Sequence, residues 1–273
     1  MTNNIRSFRL FVRPDERSKR IANDIRELNS RISHPLLESE DGDLIIAIGG
    51  DGTFIDAVIS TDFSKDKIYT GIHTGTLGFM QDLSANDILS LIQYVNHETE
   101  IRTRKVYVSA IKVTLRDGTV KRYFSLNEIL VAGKEYSKIS FAEYINGELL
   151  QRVSGNGIVI ASSAGDTGYS LNAKGAVDFS HNFQLVCTLQ TPMVYAIHER
   201  FISNPIICSE IKIALEPSNN ICIVIDGRPR EIDSKLIESV EVSMSDEANH
   251  INKLDLTNYS KVRVFRNKIL GYN

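Results

Sequence analysis

The sequence predicts an α/β domain followed by a mainly antiparallel β domain. Three observations carry that expectation: a strand, glycine turn and helix over residues 44–59, an alternation of strand and helix patterns to about residue 100, and hairpin signals from there on.

Leu44, Ile45, Ile46, Ala47 and Ile48 are apolar without alternation, which suits a strand covered on both faces. Gly49, Gly50 and Gly52 then remove the Cβ atoms that would keep a backbone away from a bulky anion. Thr53 can cap a helix beginning near Phe54, and a helix N-terminus presents free N–H groups and positive dipole to phosphate. An Asp-Gly pair also suits a hairpin. Phe54, Ile55, Ala57, Val58 and Ile59, however, give a helical apolar face beside Asp56 rather than an alternating return strand. Asp51 is the only charge within 49–54. Among phosphates a carboxylate has use as the acceptor of a hydroxyl proton or as a holder of Mg²⁺.

Upstream, 8–12 predicts a strand, and Ile21, Ile25 and Leu28 predict an amphipathic helix within 15–30. Downstream, 67–72 predicts a further strand. The loops GGDGT and HTGTLGF (73–79) thus both follow strand C-termini, where open parallel sheets bind ligands. Ser84 with Asp87 forms a capping box, opening a helix on which Ile88, Leu89, Leu91, Ile92 and Val95 face one way. Beyond Glu100, strands at 106–115 and 120–126 flank Asp117-Gly118, and strands at 141–145 and 148–153 flank Asn146-Gly147. Strands at 211–215, 221–225 and 240–244 follow, with Asp226-Gly227 after the second, and 262–270 reads as a strand returning to the first domain. The expected domains are 1–100 with about 255–273, and 101–254.

A net charge of −3 and pI near 6.1 leave no basic footprint for nucleic acid. The three cysteines, Cys187, Cys208 and Cys222, lack C-x-x-C spacing and read as buried thiols of a reducing compartment. No apolar run approaches the ~20 residues of a membrane helix, and the N-terminus lacks a signal-peptide pattern. A cytoplasmic protein with no membrane partner is expected. The histidines have no metal-ligand spacing, and both the Walker A loop and G-x-G-x-x-G are absent.

Two further stretches can carry chemistry. Asn127-Glu128 interrupts the apolar run SLNEILV, placing two hydrogen-bonding side chains at a strand end, a bulge or a solvent-facing edge. Residues 155–175 hold a strand at 158–161, a turn of small residues and a helix from about Thr167. There Asp166 and Thr167 offer acceptors and a donor, and Tyr169 offers a stacking face.

Taken together, GGDGTF at 49–54, HTGTLGF at 73–79, LNE at 126–128 and GYS at 168–170 resemble the bacterial NAD kinase family in order and spacing over roughly 44–230. GGDG alone is shared with lipid and phosphofructo-type kinases. The resemblance implies an α/β domain, a β-sandwich-like domain and phosphoryl transfer from ATP or polyphosphate to the adenosine 2′-hydroxyl of NAD. It further implies Mg²⁺ and a homodimer or homotetramer. By the same resemblance Asp51 activates the hydroxyl, Gly50, Gly52 and Thr53 cradle phosphates, and Phe79 lines the adenine side. Asn127 and Glu128 bind ribose, Thr167, Gly168 and Tyr169 hold base and ribose, and Asn156, Asp166, Asn172 and Asp226 complete the nucleotide set. The chain departs from the family pattern at Asn156, where an aspartate is usual, at Ser162-Ser163 for Thr-Pro, and at Asp166 for serine. A kinase acting on a lipid or other hydroxyl, and a non-catalytic NAD(P)-binding relative, are the alternative readings.

Overall fold

A computed structural model of the chain describes residues 4–75, 78–180, 184–190, 201–217, 220–244 and 249–271. Thr76 and Leu77 of the second glycine loop, His181 and His198, and residues 1–3 lie outside them. The chain divides into two compact units, Met1–Val106 with His250–Asn273, and Tyr107–Asn249.

The first unit is built on a six-stranded sheet in the order Leu37–Glu38, Ser7–Val12, Leu44–Gly49, Ile68–His73, His250–Leu254, Thr103–Tyr107. The pairings among the first five of these strands are parallel. Leu44–Gly49 is buried at every position, as its unbroken apolar run requires. The helix Glu16–Ser30 buries Ile21 and Ile25, and the helix Ile88–His97 buries Ile88, Leu91, Ile92 and Val95. Leu89, expected on that inner face, is instead 52% exposed. The Ser84–Asp87 capping box forms, leading through a 3₁₀ turn into the helix.

Three boundaries differ from expectation. The helix after the glycine turn is Asp51–Ser60, with Gly50 as its N-cap, so Thr53 lies inside the first turn and caps nothing. Gly50 already has the extended dihedrals of a cap, so the turn closes before Thr53 is reached. The strand returning to the first unit is His250–Leu254, and 262–270 is mostly helical, within Lys261–Ile269. Val262 and Val264 mimic strand alternation, but the Ser260 side chain accepts the N–H of Arg263, and Arg266 and Lys268 in the last turn suit the negative end of a helix dipole. Finally, Thr103–Tyr107 belongs to the first sheet, so the hairpin expected from 106 begins at Ser109.

The returning strand brings a wholly buried lysine beneath the glycine-turn helix. Lys253 Nζ donates to Asp82 Oδ1 at 2.8 Å, lies 5.0 Å from the Phe54 ring centre, and shares Asp82 with Arg104. Burial drives its pKa down to about 8, with Arg104 acting in the same direction and Asp82 opposing.

The second unit holds two six-stranded sheets, antiparallel throughout their pairings. Val113, Ile213 and Val240 of one sheet and Ile129, Val131, Ile160 and Ile223 of the other fall in a single core, which makes the unit a sandwich. Asn146-Gly147 and Asp226-Gly227 have positive φ at both residues, the type I′ geometry that lets two-residue hairpins follow strand twist. All three cysteines are free, but only Cys187 is fully buried; its Sγ lies 3.7 Å from Cys208 Sγ.

Candidate functional site

In the first unit the site is assembled at the C-terminal ends of two neighbouring parallel strands. Strand pairing runs out at Gly49 opposite His73, and the chain on each side continues into a glycine-containing loop. Asp51, the first residue of the helix, sends its carboxylate across: Oδ2 accepts the N–H of Phe79 at 3.0 Å and Oδ1 that of Met80 at 2.9 Å. A Cβ on Gly78 would stand 2.2 Å from Asp51 Oδ1, so only glycine admits this approach. Gln81 Nε2 donates to the carbonyl of Gly50 at 2.5 Å, bracing the turn from the same side. The Asp51 side chain keeps 28% exposure, and Lys268 Nζ lies 3.4 Å from its Oδ2. Phe79 is buried, its ring 6.4 Å from that of Phe265.

Gly50 and Gly52 differ from Gly78, because a Cβ at either would meet nothing within 4 Å. The fold does not need glycine there, and Gly52 within a helix is unfavourable by ~1 kcal/mol relative to alanine. Open space beside exposed helix-terminal N–H groups is what an incoming phosphate requires. Thr53 is half-buried, with its Oγ1 directed at Gly49.

In the second unit Asn127 and Glu128 stand where the strand Val120–Ser125 ends and Glu128–Gly133 begins. That second strand is central in its sheet, so the pair is not on a solvent-facing edge. Asp226, in its type I′ turn, is buried, and its carboxylate accepts from Ser125 Oγ (2.8 Å) and from the N–H groups of Leu126 (2.9 Å), Asn127 (2.7 Å) and Glu128 (3.2 Å). Both carboxylate oxygens are thereby engaged in shaping the loop that presents Asn127 and Glu128. Ser162 Oγ donates to the carbonyl of Leu126 and its N–H to that of Asn127, tying the small-residue turn to the same loop. Gly165 is required here, since a Cβ would come within 2.2 Å of the Asn127 carbonyl.

Asn127 Oδ1 and Glu128 Oε2 are buried and lack hydrogen-bond partners. Burial, reinforced by the negative charge of Asp226 and opposed by the Tyr169 N–H, pushes the Glu128 carboxyl from the ordinary 4.5 up to about 7. Thr167 and Gly168 lead into the short helix Tyr169–Asn172, two residues later than expected. Asn172 is exposed at its end. Tyr169 is 46% exposed and, with Asn156, Gln190 and Lys134, lines a cavity of about 720 Å³. Asp166 is wholly buried, accepts the N–H of Asp178 at 2.5 Å, and so braces the turn from within. Gln81, Ser125 and Lys268 contact site residues from outside the motifs read in the sequence, and Ser162 does so from a position where the chain departs from the family pattern. The role of Ser125 was visible only in its adjacency to LNE.

The fold matches that of the solved yeast NADH kinase complexed with NADH, with TM-score 0.80 at 18% identity, covering 98% of this chain and 88% of that one. The class this likeness defines is one of fold: an α/β unit and an antiparallel β sandwich in one chain. Residues 126–254 match the ATP-NAD kinase C-terminal domain family. An NAD kinase of Bacteroides fragilis is 30% identical over 229 residues, covering 81% of this chain and 72% of the relative. NAD kinase 2 of Oceanobacillus iheyensis is 28% identical over 255 residues, covering 91% and 93%. The chain belongs to the NAD kinase family.

Two predictions test the geometry. Because folded Glu128 holds its proton up to about pH 7 and the unfolded chain releases it near 4.5, the associated stabilisation is complete below pH 4.5 and is lost as pH rises through 7. Urea unfolding across pH 4–8 should show the wild type losing about 3 kcal/mol relative to Glu128→Gln, and parallel profiles would contradict the assignment. Gly52→Ala should raise stability by ~0.5–1 kcal/mol while weakening binding of a phosphate ligand. A variant both destabilised and unimpaired in binding would show that glycine is kept for packing.

Proposed function

We propose that the protein is an NAD kinase, transferring a phosphoryl group from ATP or polyphosphate to the 2′-hydroxyl of the adenosine ribose of NAD to form NADP. The observation carrying this reading is the Asp51 carboxylate, held by main-chain amides beside an open glycine turn, in a chain of the NAD kinase family.

Phosphoryl transfer asks for alignment and charge neutralisation more than for covalent chemistry by the protein. As the 2′-oxygen bonds to the terminal phosphorus, its proton passes to Asp51, and the bond to the bridging oxygen breaks with its electron pair leaving on the departing phosphate. The N–H groups at the start of the helix, with Gly50, Gly52 and Thr53, cradle the donor phosphates. The unpartnered Asn127 Oδ1 and Glu128 Oε2 suit the donors of a ribose and base. Tyr169, with Thr167 and Gly168, offers a stacking face, and Asn156 on the adjoining cavity faces the nicotinamide end. Phe79 supports the adenine side, Asn172 is exposed at the end of the helix that Tyr169 opens, and Asp226 and Asp166 act by holding their loops.

Among the described residues no group of three His, Cys, Asp or Glu side chains is placed to hold a metal. Mg²⁺ typically takes one or two carboxylates with substrate phosphates and water, so Asp51 together with the donor's phosphates fits it. When bound, it would neutralise phosphate charge. A cytoplasmic homodimer or homotetramer completes the reading; the cysteine usage supports the compartment.

Purified protein given NAD, Mg²⁺ and either donor should yield NADP, detected with an NADP-specific dehydrogenase. Asp51→Asn should lower kcat by at least ~100-fold. NAD left unphosphorylated with both donors would end this reading, and labelled lipid product instead would favour another acceptor. NADP formation unchanged in Asp51→Asn would remove Asp51 from the chemistry.

A further inference from the structure

Two of the three free thiols meet inside the sandwich, and neither belongs to the site described above. Cys187 lies on Leu185–Gln190, and Cys208 ends Ile206–Cys208, the three-residue edge strand of the same sheet. The two strands are antiparallel, with Leu185 opposite Cys208 and Cys187 opposite Ile206. Residues two apart share a face of a strand, so both thiols lie on one face, with their sulfurs 3.7 Å apart across the diagonal. Cys187 is 3% exposed, whereas Cys208 is half-buried, packed against the core that holds Cys187. On the other sheet Glu143 is wholly buried opposite the core residue Ile213, and its charge acts on both sulfurs. Gln151 Nε2 donates to Glu143 Oε2 at 2.5 Å, while Oε1 has no hydrogen-bond partner among the described residues. The surroundings are thus not purely apolar, unlike those in which cysteine serves only as a small filler.

We propose that Cys187 and Cys208 are a redox-sensitive pair, which a hydroperoxide converts to a reversible disulfide within one chain. The Cys208 sulfur, the more exposed of the two, attacks one oxygen of the hydroperoxide; the S–O bond forms, the O–O bond breaks, and the departing oxygen takes the thiol proton. The Cys187 sulfur then attacks the sulfenic sulfur; the S–S bond forms, the S–O bond breaks, and its oxygen leaves as water with the Cys187 proton. The two thiols together lose two electrons and the peroxide gains them. Cys208 suits the first role: its pKa lies below the usual thiol value because the Cys187 S–H donates to it, and the Glu210 N–H adds to this against burial and the charges of Glu143 and Glu210. Contact with Cys208, together with burial, keeps Cys187 a thiol until the sulfenic acid forms beside it. To bond, the sulfurs close from 3.7 Å to about 2 Å. The strand carrying Cys208 is paired on one side alone, so it can adjust without disturbing a second ladder. Cys222 instead lines the cavity beside Tyr169 and serves as an internal control. Transient disulfides of this kind are the ones a reducing compartment allows.

The test exposes the fully reduced protein to hydrogen peroxide in modest molar excess, blocks the remaining thiols with N-ethylmaleimide under denaturing conditions, and maps the peptides by mass spectrometry. Wild type should lose two of its three alkylatable thiols while staying a single chain, lighter by two hydrogens before alkylation, with Cys187 and Cys208 joined in one cross-linked pair of peptides. Cys222 should remain alkylated, and dithiothreitol should restore all three thiols. Cys187→Ala should leave Cys208 as a sulfenic acid that dimedone traps, Cys208→Ala should leave Cys187 alkylated, and Cys222→Ala should form the bridge as wild type does. Retention of all three thiols in wild type overturns the proposal. So does a disulfide that uses Cys222 or links two chains. Oxidation of Cys208 past sulfenic acid while Cys187 stays alkylated overturns it as well, because the two sulfurs then do not meet. The wild-type map decides the proposal by itself if either alanine variant does not fold.

Discussion

The hydrogen bonds from the Phe79 and Met80 amides to the Asp51 carboxylate are the contact on which the first unit's site depends. Parallel strands hold each other only as far as their ladder runs, and here it stops at Gly49 and His73. Past that point two loops would move independently, and a buried main-chain N–H left unpaired would cost ~1–3 kcal/mol. One carboxylate with two oxygens resolves both problems, because each oxygen takes one amide of the neighbouring loop. An asparagine could accept on one side only. Gly78 is needed for the approach, and Gln81 braces Gly50 in return. The outcome is a carboxylate of fixed position beside a glycine turn whose own space stays open.

The second unit uses the same physical device with a different residue. Asp226 occupies a left-handed turn position, and its two oxygens gather one hydroxyl and three consecutive main-chain amides from residues 125–128. That fixes the main chain at Asn127 and Glu128, whose Oδ1 and Oε2 atoms are buried without a hydrogen-bond partner. The arrangement has an electrostatic consequence: burial, reinforced by the second carboxylate close by, raises the affinity of Glu128 for a proton and pushes its pKa up to about 7. A group poised near neutrality at a strand end is characteristic of functional positions rather than of cores.

Much of this was legible in the sequence where a local rule had no competitor. The unbroken run 44–48 suits a buried strand, and Asn146-Gly147 and Asp226-Gly227 suit tight turns beside strand patterns; all three form as read. Rules that compete locally misled. Thr53 is a good cap residue, but Gly50 takes the cap dihedrals first. Val262 and Val264 alternate like a strand, yet Ser260 starts a helix there, and the helix is what carries Lys268 to Asp51. The resemblance puts Asp226 and Asp166 in the nucleotide set, and in the structure their carboxylates accept main-chain N–H groups of their own unit. Which groups their oxygens bond depends on loops distant in sequence, about 100 residues away for Asp226. Long-range hydrogen bonds of that kind leave no periodicity behind.

The central claim is that the fixed carboxylate of Asp51 is the proton acceptor for a ribose hydroxyl, and a crystal structure of the protein with NAD bound tests it most directly. The account predicts the adenosine 2′-hydroxyl within ~3 Å of an Asp51 oxygen, the reach a general base requires. An NAD complex in which that hydroxyl sits beyond the reach of Asp51, even through one bridging water, would contradict it.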